Sequence, residues 1–185
     1  MIYFVRHGES EANAFLRDGG VWSFDKHNDS PLTERGRGQA RDTAEKLKNK
    51  NIDIVVTSGM KRAKETADII NGGYHDAPVV EYDGLNERWD KRDGARETHE
   101  DEWQKAFEFG YDAEEGIERL EDFRDRVVGA MEQIREKYGD DDILIVAHEG
   151  MSHVLRRYFG GGLWEGNIRM ERMGNGEVVE FDFGM

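Results

Sequence analysis

The apolar residues of this chain come in short, dense runs separated by longer amphipathic stretches. The runs at 2–5 (IYFV), 53–56 (DIVV), 78–82 (PVVEY) and 142–147 (DILIVA) are too short for helices and rich in β-branched residues. They read as buried strands. Residues 34–50 and 59–71 carry apolar positions at helical spacing. Thr33 is the expected N-cap of the first of these helices. Ser58 is the expected cap of the second, which should stop at Asn71-Gly72-Gly73. Residues 116–138 place Ile117, Leu120, Phe123, Val127, Val128, Met131 and Ile134 along one face of a long helix. Two further strands are predicted near 167–173 and 177–183, joined by Gly174-Asn175-Gly176 as a hairpin turn.

Strands that alternate with helices predict an α/β fold: a three-layer α/β/α sandwich whose mainly parallel sheet is covered on both faces. The chain has 185 residues, two prolines and no internal repeat, and a single domain over 1–185 is expected. Residues 88–116 stand apart. They are charged, weakly periodic and aromatic, with Trp89, Trp103, Phe107, Phe109 and Tyr111. They are expected to form a partly helical excursion over the sheet edge, either a lid or a flap packed by its own aromatics.

Composition narrows the function. With no cysteine, disulfides and thiolate zinc sites are excluded, and a reducing cytoplasm is the expected compartment. No apolar run approaches the ~20 residues of a membrane span, and the N-terminus reads as a strand without a basic leader. Forty acidic against 26 basic side chains give a formal charge of −14. Such a surface repels nucleic acid and anionic membranes, which need a cationic footprint. An anionic substrate would have to be held by local cations, with the global field screened beyond about 10 Å.

Parallel sheets place ligands at the carboxyl ends of their strands. Arg6-His7-Gly8 and His148-Glu149-Gly150 each follow a predicted strand, so they are expected to face one crevice although they lie far apart in sequence. In the segment RHGESEAN (6–13), an arginine fork suited to phosphate oxygens sits beside an imidazole. A glycine that allows close backbone approach and a helix start, whose amides favour anions, come next.

Further segments recur downstream: Pro31-Leu32-Thr33 with Gly36 and Gln39-Ala40; Ser58 with Arg62-Ala63 and Thr66-Ala67; Leu85-Asn86-Glu87; and His148 with Gly150. Taken in this order with Arg6-His7-Gly8-Glu9-Ser10 and Asn13, the chain resembles the histidine phosphatase superfamily. This is the branched group that includes cofactor-dependent phosphoglycerate mutases and many small phosphatases. The resemblance implies a phosphoglycerate mutase-like fold and a phosphatase that hydrolyses a small-molecule phosphomonoester through a phosphohistidine on His7. It implies no cofactor and no metal, because arginines supply the positive charge. Arg6, Arg62 and His148 would surround the phosphoryl oxygens. Glu87 would serve as general acid and then base, and Ser10, Asn13 and Glu149 would line the substrate. A neutral imidazole is the form that attacks, and a pKa of about 6.5 makes it available near neutral pH. The alternatives are phosphoglycerate mutase-type transfer to a second substrate, and a non-catalytic phosphate-binding module. Arg62 alone would read as a solvated arginine of a charged helix, and the reading of Glu87 rests on the Leu85-Asn86-Glu87 element.

Two positions depart from the family pattern. Glu149 stands where a glycine usually follows the second histidine, and would either repel a dianion or select a substrate carrying a donor. His153 stands where an arginine is common, with Arg156 and Arg157 one turn later. The segment HEGMSH (148–153) only imitates a zinc motif, since the second histidine falls five residues after the first rather than four.

Overall fold

A computed structural model describes residues 1–21, 29–90, 105, 107–110, 115–169 and 172–183. Five strands form one sheet: β1 (Ile2–Arg6), β2 (Ile54–Thr57), β3 (Val79–Glu81), β4 (Ile143–Ala147) and β5 (Val178–Phe181), in the spatial order β3-β2-β4-β1-β5. All pairings are parallel except β1 with β5. The helices are α1 (Glu11–Arg17), α2 (Glu34–Leu47), α3 (Lys61–Tyr74), α4 (Leu120–Tyr138) and α5 (Glu149–Gly160), with a short 3₁₀ turn at Asp83–Leu85.

The strand alternation decides the layering. Ile2, Phe4, Ile54, Val56, Ile143 and Ile145 point to one face and pack with Phe123, Val127, Met131 and Ile134 of α4 and with Met151, Val154 and Leu155 of α5. Tyr3, Val5, Val55, Leu144 and Val146 point to the other, against Ala44 and Leu47 of α2 and Ala63, Ala67 and Ile70 of α3. This is the expected α/β/α arrangement, with β1 and β4 buried at its centre. Thr33 caps α2 as expected, its side chain accepting from Gly36 N at 3.0 Å. No helix among the described residues is long and apolar enough to cross a membrane.

Several local expectations are corrected. The helix expected over 59–71 begins at Lys61 and runs through Gly72-Gly73 to Tyr74. Met60, not Ser58, holds its N-cap position, and Ser58 is used elsewhere. Its end is set by Asn71, whose side chain bonds both N and O of Ala77 at 2.9 Å. The run 78–82 is no buried strand: only Val79–Glu81 pairs, at the sheet edge, and Val79 is 44% exposed. The long helix starts at Leu120, because Ile117 instead forms a bridge with Asp90.

Among the described residues of 167–173 no strand forms. Asn167 makes an isolated bridge to Glu108, while Ile168 and Met173 are buried. Among the described residues the Gly174-Asn175-Gly176 turn joins no hairpin, and β5 pairs with β1. Helix α5, unforeseen from sequence, follows β4 directly. Most of the expected lid lies outside the described residues. Of its described part, Phe107 is buried in the core and Phe109 packs against it.

Candidate active site

The register of β1 and β4 builds the centre of the site. Arg6 lies opposite Ala147, and His7 N donates to Ala147 O at 3.0 Å, so His7 and His148 leave adjacent parallel strands side by side. Their rings meet edge to face at 5.2 Å between centroids. Because side chains alternate along a strand, a slip of one residue would send one histidine to the opposite face. The next strand joins in the same way: Thr57 lies opposite Val146, and Ser58 N donates to Val146 O at 3.3 Å.

His7 is held in one tautomer. Its Nδ1 lies 2.7 Å from Gly8 O, an acceptor only, so Nδ1 carries the proton and Nε2 keeps its lone pair. Arg62 Nε donates to that Nε2 at 3.1 Å. Burial, then the Arg62 and Arg6 charges, hold His7 well below the ordinary histidine pKa. Gly8 is required by packing, since a Cβ there would lie 2.3 Å from Gly36 O. Gly8 N donates to Thr66 Oγ1 at 3.1 Å, and Thr66 Oγ1 donates to Arg62 O at 2.7 Å, tying the first segment to α3.

His148 is completely buried at the N-cap of α5. Its Nε2 is 2.8 Å from Ser58 Oγ, and its Nδ1 has no partner among the described residues. Burial first, then Arg62, lowers its pKa well below the usual value. Arg6 projects between β1 and the 173–177 turn. Its Nη1 contacts Met173 O and lies 2.8 Å from Glu149 Oε2, while its buried Nε is unpartnered among the described residues. Arg62 is 7% exposed, and burial lowers its pKa to about 10 even though Glu87 opposes the shift.

Glu87 follows the 3₁₀ turn after β3. Its Oε2 accepts from Gly150 N at 3.1 Å and its Oε1 from Arg88 N at 3.0 Å. Burial raises its pKa above the ordinary carboxyl value, against those two amides and Arg62. Gly150 is needed beside it, since a Cβ there would meet Glu87 Oε1 at 2.3 Å. The structure thus brings Arg6, His7, Arg62, Glu87 and His148 to one end of the sheet.

The remaining expected site residues divide. Ser10 and Asn13 form a capping box at the start of α1, each side chain bonded to the other's backbone amide at 3.2 Å. Ser10, 1% exposed, is thereby occupied. Asn13 also meets the site, because Asn175 Nδ2 donates to His7 O at 3.0 Å and reaches Asn13 Oδ1 at 3.4 Å. Glu149 does not stand alone in the cleft: it bridges Arg6 and Arg172, the latter at 2.9 Å. His153 is buried edge-on against Phe107, and burial lowers its pKa to about 4. Ser58 and Asn175 lie at the site although the sequence names neither as a site residue: it offers Ser58 as a helix cap and the start of one family segment, and Asn175 as part of a turn.

Comparison with known proteins agrees with this geometry. The family model for the histidine phosphatase superfamily (branch 1) matches residues 2–184. The chain is 34% identical over 182 residues to a Bacillus subtilis protein named uncharacterized phosphatase PhoE, covering 98% of this chain and 88% of the relative. It is 32% identical to an adenosylcobalamin/alpha-ribazole phosphatase of Salmonella typhi, covering 83% of this chain and 76% of that protein. Among solved structures, Bacillus stearothermophilus YhfR superposes with a TM-score of 0.79 at 28% identity, covering 99% of this chain and 92% of its own. With the fold, the paired strand-end histidines and these relatives in agreement, this chain belongs to the histidine phosphatase superfamily, branch 1.

Proposed function

We propose that the chain acts as one domain that hydrolyses a phosphomonoester through a phosphohistidine on His7. The observation that carries this reading is the fixed tautomer of His7, with Nδ1 committed to Gly8 O and the Nε2 lone pair directed at Arg62. In the first step Nε2 bonds to phosphorus as the ester P–O bond breaks, and Glu87 gives its proton to the leaving alkoxide. In the second, water attacks phosphorus, Glu87 takes the water's proton, and the N–P bond breaks to release inorganic phosphate. Arg6, Arg62 and His148 offset charge on the phosphoryl oxygens, so no metal is assigned that task. Arg6 Nε and His148 Nδ1, buried and without a partner among the described residues, are nitrogens that an anionic ligand could engage.

The named alpha-ribazole phosphatase relative supports a small phosphorylated substrate. Glu149 is assigned the rim of the substrate site, where it already occupies Arg6. A single-turnover experiment with ³²P-labelled ester tests the reading. An acid-labile, base-stable phosphoprotein should form and disappear in His7→Ala, with undiminished turnover in excess chelator. A His7→Ala protein that labels fully would overturn the assignment.

A further inference from the structure

Glu87 sits on an irregular segment after the short edge strand β3 and its 3₁₀ turn, where no sheet ladder fixes the backbone. A group that passes a proton must nevertheless be held close to its working position. One guanidinium supplies that restraint. Arg126, from the middle of α4, donates through Nη1 to Gly84 O at 3.0 Å and Asn86 O at 2.9 Å. Its Nη2 reaches Glu87 O at 3.4 Å.

The other edge of the same fork meets Glu118, with Nε to Oε1 at 2.9 Å and Nη2 to Oε2 at 2.7 Å. Glu118 is only 4% exposed. It also binds the far side of the segment: Oε2 accepts from Trp89 N at 3.4 Å, its backbone N donates to Trp89 O at 3.0 Å, and its carbonyl accepts from Arg88 Nε at 2.7 Å. The backbone on both sides of Glu87 is therefore tied to one ion pair.

A buried ion pair is a weak source of stability, because desolvation offsets much of its attraction. What it provides is direction: five N–H groups in a rigid plane reach several fixed acceptors at once, which a lysine ammonium cannot reproduce. We infer that the Arg126–Glu118 pair is the positioning device for Glu87, setting its carboxyl against the leaving group from outside the cleft. The inference rests on the proposed proton-donor role of Glu87.

The test compares an alkyl phosphate, whose alkoxide needs a proton, with an activated aryl phosphate, whose phenolate does not. Arg126→Met/Glu118→Gln removes both charges together, so no unpaired buried charge is left to unfold the protein. Arg126→Lys keeps the charge and loses the fork, giving a second, milder variant. Both should lower kcat on the alkyl phosphate, by about 10²-fold for the double variant, while the aryl phosphate stays near the parent rate. Adding the double variant to Glu87→Gln should then leave the alkyl phosphate rate no lower than in Glu87→Gln alone, as expected for residues acting through one step.

Equal losses on both substrates, or full additivity with Glu87→Gln, would overturn the inference. If Glu87→Gln alone lowers both substrates equally, the proton-donor reading fails separately. The ¹³C-detected titration of the Glu87 carboxyl then decides the positioning claim: a displaced midpoint in the double variant supports it, and an unmoved one overturns it.

Discussion

Arg62 Nε donates to His7 Nε2 across 3.1 Å, so the proposed nucleophile and the proposed phosphate ligand face each other directly. An N–H can point at Nε2 only while that nitrogen is unprotonated. The contact therefore selects the attacking form of His7 at the place where the phosphoryl group must enter.

Arg62→Ala should lower kcat/KM on alkyl and aryl phosphates alike, because every substrate shares the phosphoryl group. Loss of one such charge-stabilising donor is typically worth about 10²–10³ in rate. The Arg62 charge also lowers the His7 pKa. Its removal should move the acidic limb of kcat/KM upward, toward the ordinary histidine value. A limb that stays in place would show that Arg62 does not act on His7 electrostatically.

The proposed active form has His7 neutral and Glu87 protonated. His7 is shifted well below its usual pKa and Glu87 is raised above its own, so the two ionisations approach each other. Activity on an alkyl phosphate should fall as pH rises through the Glu87 pKa. That limb should vanish in Glu87→Gln, which should slow the alkyl ester by about 10²–10⁴ and spare the aryl ester. A basic limb retained in Glu87→Gln would assign it to the phosphate's own ionisation.

Glu149 lies 2.8 Å from Arg6, the guanidinium proposed to hold phosphate, and would compete for it. Glu149→Gln keeps the volume and removes the charge. Equilibrium titration with inorganic phosphate should show tighter binding in this variant, by up to about tenfold for one relieved charge contact. Unchanged or weaker binding would mean that Arg172 already draws the carboxylate aside when an anion binds.

His153 is buried with a pKa of about 4 in the folded protein, against about 6.5 for an unperturbed histidine. Between those values the unfolded chain binds the extra proton, so this stability is full above about 6.5 and lost as pH falls toward 4. His7 and His148, also lowered, act in the same direction. Glu87, raised, acts in the opposite one and loses its contribution as pH rises through its folded pKa. Urea midpoints should fall on acidification across this window, and His153→Leu should flatten the dependence. An identical slope in that variant would place the acid sensitivity elsewhere.

What the sequence determined by itself is what short-range physics controls. The runs at 2–5, 53–56 and 142–147 are apolar after the leading Asp53 and Asp142 because both faces of each strand are covered, and that signal survives without coordinates. Thr33 was legible as a cap because its partner, Gly36 N, lies three residues away. Arg6, His7, Arg62, Glu87 and His148 were legible from the order of their segments, which carries the family resemblance.

Only the tertiary structure decided how those segments meet. The Arg6–Ala147 register that sets His7 beside His148 joins strands more than a hundred residues apart, and neither strand encodes it alone. Ser58 has the chemistry of a helix cap, but His148 from another strand claims its hydroxyl. Residues 167–173 have strand-like character in sequence, yet it is β5, from after the turn, that takes the place beside β1. Glu149 and Glu118 look alike in sequence, as acids among acids. Their partners Arg6 and Arg126 come from distant elements, so which carboxylate stands at the candidate site and which ties the segment around Glu87 is fixed by packing and not by local preference.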